Sequence, residues 1–267
     1  MSSLTQFCCR ILVVMAIPLL SFGAPPYMWY ATYSIENYDG NGDCGLPNPE
    51  KTHDAADGFS IAVESKNLPN TWHRYNRRDA QCTAARWTGM GAEINYVDFL
   101  FYAGHGCSTG PIFGCNSGYP INAWNDIRFG GYGYLKWVQA VSCMWFSEPN
   151  MDDCSSYYDV AGRWWNSFKG VHTVMGHEAR TFDPHYPNEM SMEFWTRWCN
   201  QNYTISSAWI SSQIKWVYEE YSCPGLIPAS VSHNITYSEK LFSQEEDGLA
   251  PYGLNYIARE EVGSPVY

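Results

Sequence analysis

Two apolar runs of strand length, each followed at once by a reactive side chain, constrain this chain most. The first covers residues 97–103 and is followed by Gly104-His105-Gly106. The second covers residues 135–141, with the strand itself predicted at 137–141, and is followed by Ser142-Cys143. Both runs are rich in aromatic and β-branched residues, which is typical of buried strands. Open α/β sheets bind ligands outside the carboxyl ends of their strands. We therefore expect the imidazole of His105 and the thiol of Cys143 to lie side by side at one sheet edge.

A cysteine with a histidine upstream in sequence but adjacent in space is the arrangement of a cysteine nucleophile and its proton-transfer partner. The same residues also have structural interpretations. His105 between two glycines is compatible with a plain tight turn, because glycine allows unusual backbone angles and close approach. Cys143 is compatible with a buried core thiol or with half of a disulfide.

The two segments resemble the caspase-like cysteine peptidases, a group that includes caspases, legumains, gingipains and clostripain. The mark of that group is a hydrophobic strand ending in His-Gly, followed by a second hydrophobic strand ending in Cys. Residues 101–106 and 138–143 match it, and the 38 positions between His105 and Cys143 suit the group. The resemblance covers about residues 90–180. It implies a caspase-like three-layer α/β sandwich, with a mainly parallel sheet flanked by helices.

The activity that the resemblance implies is cleavage of peptide bonds, or transpeptidation, through a thioester on Cys143. His105 would protonate the leaving amine and then help to activate the water or amine that resolves the thioester. The backbone N–H groups of Gly106 and Cys143 are the expected oxyanion donors, because a glycine lets the substrate oxygen come close. The substrate is a peptide or protein, and no cofactor is implied.

A third apolar run, at residues 171–175, predicts a neighbouring strand that ends at the same edge. His177 and Glu178 follow it, so we expect both to line the substrate pocket, with Trp145 from the segment after Cys143. His172, His177, Glu178 and His185 are also zinc-ligand types. Their spacing is not His-Glu-x-x-His, and His172 and His177 face opposite sides of an extended strand, so no metal is expected.

The rest of the chain predicts one α/β domain at residues 24–242, followed by a surface tail at 243–267. Residues 27–35 form a predicted strand, and residues 52–65 have the apolar spacing of a helix. Residues 68–90 have no clear pattern. Further helical spacing follows at residues 157–168, 190–198 and 210–217. Strands that alternate with helices indicate right-handed crossovers and a parallel sheet.

The N-terminus predicts a secretory signal peptide at residues 1–23, with Arg10 before a short apolar run that contains Pro18. The run is too short for a bilayer span, so we expect a secreted protein without a membrane anchor after signal cleavage. Two glycosylation sequons, at Asn202 and Asn234, fit a secreted glycoprotein.

The formal net charge of -11 argues against a nucleic-acid partner, which needs clustered Lys and Arg. Eight cysteines remain beyond the signal segment, an even number that allows full pairing in an oxidising compartment. Cys107–Cys115 and Cys199–Cys223 are plausible local bridges. Full pairing would leave no nucleophile. The alternative function is therefore a non-catalytic, disulfide-rich secreted module that binds peptide or glycan through its many aromatic residues.

Overall fold

A computed structural model describes residues 28–39, 45–114, 121–132, 134–147, 160–178, 187–219, 228–232, 240 and 256–259. These residues form an α/β sandwich around a seven-stranded sheet. The predicted signal peptide lies outside the described residues. Among those that are described, no helix combines the length and apolar character needed to cross a bilayer.

The sheet is mainly parallel. Its parallel strands are β1 (Met28–Ser34), β2 (Thr71–Arg78), β3 (Phe99–Ala103), β6 (Trp137–Val141) and β7 (Thr173–His177). Two antiparallel strands, β8 (Pro228–Ser232) and β9 (Tyr256–Arg259), extend it beyond β7. The strand order in the sheet is β2-β1-β3-β6-β7-β8-β9. A two-residue hairpin, β4 (Gly106–Cys107) with β5 (Gly110–Pro111), follows β3 directly. The predicted mainly parallel sheet is confirmed, and β9 shows that part of the predicted tail pairs with the sheet.

One face of the sheet is covered by three helices, α1 (Thr52–Ser65), α3 (Pro187–Trp195) and α4 (Ile205–Gln213). Helix α1 has the predicted bounds and buries its apolar side, where Phe59 stacks on Phe101 with ring centroids 4.7 Å apart. Gly58 allows α1 to lie close to α3, because a methyl group there would come within 2.8 Å of the Asn188 Cα. Helices α3 and α4 each continue into a π-helical turn, Thr196–Asn200 and Ile214–Glu219.

The other face is covered by the short helix α2 (Val160–Trp164), by 3-10 turns and by loops. The ring of Trp87 lies at the centre of this layer, fully buried, and contacts Tyr33, Tyr102 and Trp145 edge-on or nearly so. Edge-to-face contacts of this kind add to the hydrophobic stabilisation that burial itself provides. The high aromatic content of the chain therefore serves the core on both faces of the sheet.

The segment without a sequence pattern contains β2, an eight-residue edge strand. Its side chains alternate between half-buried and exposed, and four of its eight residues are His or Arg. An ion-pair network fixes this strand to the turn before β3: Arg77 binds Glu93 with two hydrogen bonds of 2.9 and 2.8 Å, and Arg86 binds the same carboxylate. The hydroxyl of the buried Tyr33 also donates to Glu93, at 2.6 Å.

Candidate active site

His105 and Cys143 lie at neighbouring strand ends. Strands β3 and β6 pair in parallel, with Ala103 opposite Val141, and each reactive residue lies two positions beyond that last pair. The amide of Gly104 donates to the carbonyl of Val141 at 3.3 Å, which continues the strand contact past its end. The prediction that the two strand ends are adjacent is confirmed. The main-chain register of the sheet thus fixes where both residues emerge.

The two turns that carry these residues are packed directly against one another. A methyl group on Gly106 would overlap the Ser142 hydroxyl oxygen, would lie 2.6 Å from Trp145 Nε1, and would lie 2.8 Å from the Cys143 carbonyl oxygen. Only a glycine fits at this position. The second glycine of the Gly-His-Gly turn is therefore explained by close approach between the two turns rather than by an unusual backbone angle.

Two buried tyrosines hold the backbone of the histidine turn. The amide of His105 donates to the Tyr38 hydroxyl at 2.7 Å, and the Tyr102 hydroxyl lies 2.8 Å from the His105 carbonyl, to which it donates. Gly104 has no room for a side chain, because a methyl group there would lie 2.7 and 2.8 Å from the two hydroxyl oxygens. These contacts satisfy the main chain of a turn that has left the sheet ladder, and they restrict its movement.

The imidazole of His105 is oriented by the loop between β1 and α1. Its Nε2 atom lies 2.6 Å from the carbonyl oxygen of Pro47, and its ring centroid lies 4.6 Å from that of Tyr38. A carbonyl oxygen only accepts, so Nε2 carries the proton in this contact. In the neutral ring Nδ1 is then the basic nitrogen. The loop therefore selects the tautomer in which Nδ1 exchanges protons.

Cys143 is partly exposed and is not part of a disulfide. The residue after it, Met144, has a backbone φ of 59°, in the left-handed region that bulky side chains rarely occupy. The chain therefore turns sharply away just after the thiol. Backbone strain of this kind concentrates at functional sites. Burial raises the pKa of the Tyr38 phenol, and a negative charge on Cys143 would raise it further.

The structure corrects the predicted pocket. His177 is fully buried rather than exposed to the crevice: Nδ1 lies 3.1 Å from the Ser142 carbonyl oxygen, and Nε2 lies 3.1 Å from the Gln213 side chain. Burial lowers the pKa of His177 from its usual 6.5, so the ring is neutral at pH 7. Both partner atoms, the Ser142 carbonyl oxygen and Gln213 Oε1, are acceptors, and the neutral ring has one N–H group to donate to them. Through its contact with the carbonyl oxygen, His177 fixes the position of Ser142, the residue before Cys143.

The other two predicted pocket residues are also buried. Trp145 has no exposed surface and stacks on Tyr102 and Trp164, with ring centroids 5.8 and 5.4 Å apart. Glu178 is 5% exposed. In this structure Trp145 therefore supports the turn after β6 from within the core and does not line an open pocket.

Sequence reasoning missed Tyr38, Pro47 and Ser142, all of which contact the two reactive turns. Tyr38 and Pro47 lie in a loop whose Gly, Asn and Pro content predicts only irregular structure. Ser142 directly precedes the thiol and was the nearest available signal. The contacts of the other two depend on chain segments 58 to 67 residues apart, which no local pattern reports.

The remaining described cysteines, Cys82, Cys107 and Cys199, are also unbridged, so neither of the two suggested local bridges is present in this structure. Burial raises the pKa of Cys82 and of Cys199 to about 12, which leaves both as neutral thiols. Cys44, Cys115, Cys154 and Cys223 lie outside the described residues, as does His185. Within the described part of the chain, His, Cys, Asp and Glu side chains form no group of three that could hold a metal ion.

The fold and the strand ends define an α/β protein with a histidine and a cysteine at the carboxyl edge of a parallel sheet. Its sequence matches the family described as Domain of unknown function (DUF6345) over residues 35–248. The match covers most of the chain, and the protein belongs to this family. The matched region includes β3, β6 and both reactive residues. No curated protein matches the sequence.

Proposed function

We propose that this protein is a secreted cysteine peptidase, or transpeptidase, of the caspase-like type. The observation that carries the proposal is the register of β3 and β6, which places His105 and Cys143 at equivalent positions beyond the paired residues Ala103 and Val141. Neighbouring parallel strand ends are where α/β enzymes gather their reacting groups. The fixed tautomer of His105 and the unbridged state of Cys143 support the same function.

The proposed chemistry uses both residues in two steps. The thiolate of Cys143 attacks the peptide carbonyl carbon, and a C–S bond forms as the C–N bond breaks. His105, protonated at Nδ1, gives that proton to the departing amine. In the second step a water molecule attacks the thioester and gives a proton to Nδ1, and the thiolate leaves. In transpeptidation, an amine takes the place of the water.

The main-chain groups beside the thiol complete the proposed site. The N–H groups of Gly106 and Cys143 are the proposed donors to the oxyanion, whose charge they would stabilise as it develops. Peptide or protein is the proposed substrate, and the chemistry needs no cofactor. A nucleic-acid partner remains disfavoured by the acidic net charge. The proposed secretion rests on the signal-like segment at residues 1–23.

The alternative, a binding module in which all eight remaining cysteines are paired, receives less support. Four of these cysteines, Cys82, Cys107, Cys143 and Cys199, are unbridged in the structure. A reduced thiol at Cys143 is the state that a nucleophile requires. A thiol count on the folded, purified protein separates the two functions, because the alternative expects none.

The decisive experiment is labelling with a peptide chloromethyl ketone, with the modified cysteine identified by mass spectrometry. We expect Cys143 to react, while Cys82 and Cys199 serve as internal controls that stay unlabelled because burial raises the pKa of each thiol to about 12. His105→Ala should slow the labelling of Cys143. Equal labelling of all three cysteines, or a Cys143 that does not react in folded protein, would overturn the proposal.

A further inference from the structure

We propose that Asn48 is a positioning residue for the imidazole of His105. Its described hydrogen bonds reach neither His105 nor Cys143, and its side chain is exposed. It instead ties together the two parts of the β1–α1 loop that do contact His105. The effect on the histidine tautomer depends on the geometry alone, and its consequence for catalysis rests on the proposed function.

The Asn48 side chain closes the loop through three hydrogen bonds. Its Oδ1 atom accepts from the amide of Tyr38 at 2.7 Å and from the amide of Asp39 at 3.4 Å. Its Nδ2 group donates to the Asp39 carboxylate at 2.8 Å. The start of the loop, at residues 38 and 39, is thereby attached to residue 48, which lies near its end.

Each of the two loop segments that Asn48 joins contains a residue that contacts His105. Tyr38 accepts the His105 amide through its hydroxyl and packs its ring 4.6 Å from the imidazole. Pro47, directly before Asn48, accepts the Nε2–H of the same ring at 2.6 Å. The Asn48 side chain therefore fixes the distance between Tyr38, which binds the His105 amide, and Pro47, which binds the His105 ring.

The base of the loop is held separately. The Asp79 carboxylate, at the end of β2, accepts from the amides of Glu36 and Asn37 at 2.9 Å each. The hydroxyl of Thr52, at the start of α1, donates to the Ile35 carbonyl at 2.9 Å. Loss of the Asn48 bonds should therefore loosen the tip of the loop, including Pro47, and leave the strands and helix in place.

The consequence for His105 is a change in tautomer population. Pro47 stabilises the form with hydrogen on Nε2, and that stabilisation requires the carbonyl to stay at hydrogen-bonding distance. When the loop tip moves freely, the form with hydrogen on Nδ1 gains population. That form has no basic Nδ1 with which to take a proton. A fall in the labelling rate of Cys143 on the order of tenfold is expected, the factor that one hydrogen bond of ordinary net strength controls.

The test is NMR of the full-length protein labelled with ¹⁵N-histidine, in which long-range correlations distinguish the two neutral tautomers. His105→Gln identifies the His105 signals by their disappearance. We expect Asn48→Ala to lower the fraction of the Nε2–H tautomer at His105. Asn125→Ala, which removes another exposed asparagine side chain, is the matched control and should change nothing.

A double variant, Asp39→Asn with Asn48→Asp, exchanges donor and acceptor between the two side chains and keeps a carboxylate to accept the Tyr38 amide. It should restore the tautomer, and it provides a second test if Asn48→Ala folds poorly. An unchanged His105 tautomer in folded Asn48→Ala, or no recovery in the double variant, would overturn the role of Asn48. A tautomer shift without any slowing of Cys143 labelling would instead count against the proposed function, so the two failures are distinguishable.

Discussion

Gly106 and Ser142 are packed so closely that no methyl group fits between them. The first follows the candidate base and the second precedes the candidate nucleophile, so the contact joins the two turns that carry the proposed chemistry. The separation of His105 and Cys143 is therefore determined by main chain and a small hydroxyl group.

Gly106→Ala should destabilise the protein and slow the labelling of Cys143. The added methyl group would meet Trp145 Nε1 at 2.6 Å and backbone at 2.8 Å, which forces the turns apart. Overpacking of this kind costs about 1–3 kcal/mol, measurable by urea unfolding. The matched control is Gly91→Ala, where the nearest atoms belong to the ring of Tyr132, at 3.3 Å. Equal effects at both glycines would contradict this account of the turn.

Tyr38→Phe should slow the labelling of Cys143 and should also lower the free energy of unfolding. The variant keeps the buried ring but removes the hydroxyl that accepts the His105 amide and donates to the Ile112 carbonyl, at 2.7 and 3.0 Å. The expected loss of stability is about 1–3 kcal/mol, because a buried amide loses its acceptor. Tyr30→Phe, whose hydroxyl binds Glu64 on the other face, is the control and should leave labelling unchanged.

His177 should make the protein less stable in mild acid. Its pKa in the folded state is lowered by burial from about 6.5, so the unfolded chain binds this proton more readily than the folded chain does. The free energy of unfolding should fall as the pH drops below about 6.5, by up to ~1.4 kcal/mol per pH unit from this group, until the folded-state pKa is reached. Denaturation at pH 5–8 should show a shallower fall in His177→Gln. Identical slopes would show that His177 does not stay neutral.

Glu93→Gln should destabilise the β2 edge. Although burial opposes ionisation, the Arg77 and Tyr33 hydrogen bonds, together with the arginine charges, lower the pKa of Glu93 below 4.5. The stabilisation is present above the unfolded pKa and is lost as the pH falls through the lower folded pKa. A loss of about 2 kcal/mol is expected at pH 7 and should shrink in acid. Asp57→Asn, in the exposed pair with Arg78, should cost less than about 0.5 kcal/mol.

The sequence predicts the elements whose residues are apolar on a regular spacing. Helix α1 and strand β6 have the predicted bounds, and β3 begins two residues later than predicted, because burial dictates their side chains. Strand β2 could not be predicted in this way. It is an edge strand whose side chains are mostly polar, and a salt-bridge network with Glu93 stabilises it in place of a fully buried face.

The misplaced pocket residue has a specific cause. The apolar run predicts the third strand at residues 171–175, which would put His177 two positions beyond the strand end, like His105 and Cys143. Strand β7 instead covers Thr173–His177, so His177 is its last residue and packs under α4, with its ring 5.4 Å from that of Trp209. Because the predicted strand ends two residues too early, the sequence places His177 in the pocket, whereas it is buried in the structure. The loop contacts of His105 were beyond prediction because they join distant segments.

The register of β3 and β6 places His105 and Cys143 at neighbouring strand ends, and this has an evolutionary consequence. Main-chain pairing of the strands fixes where both residues emerge, and a side chain at Gly106 would disrupt the packing of the two turns. Relatives that have lost the thiol should therefore keep the same architecture and persist as inactive homologues. In such a lineage the small residues around the turns would be retained longer than His105 and Cys143, and would mark descent from a protein with the proposed activity.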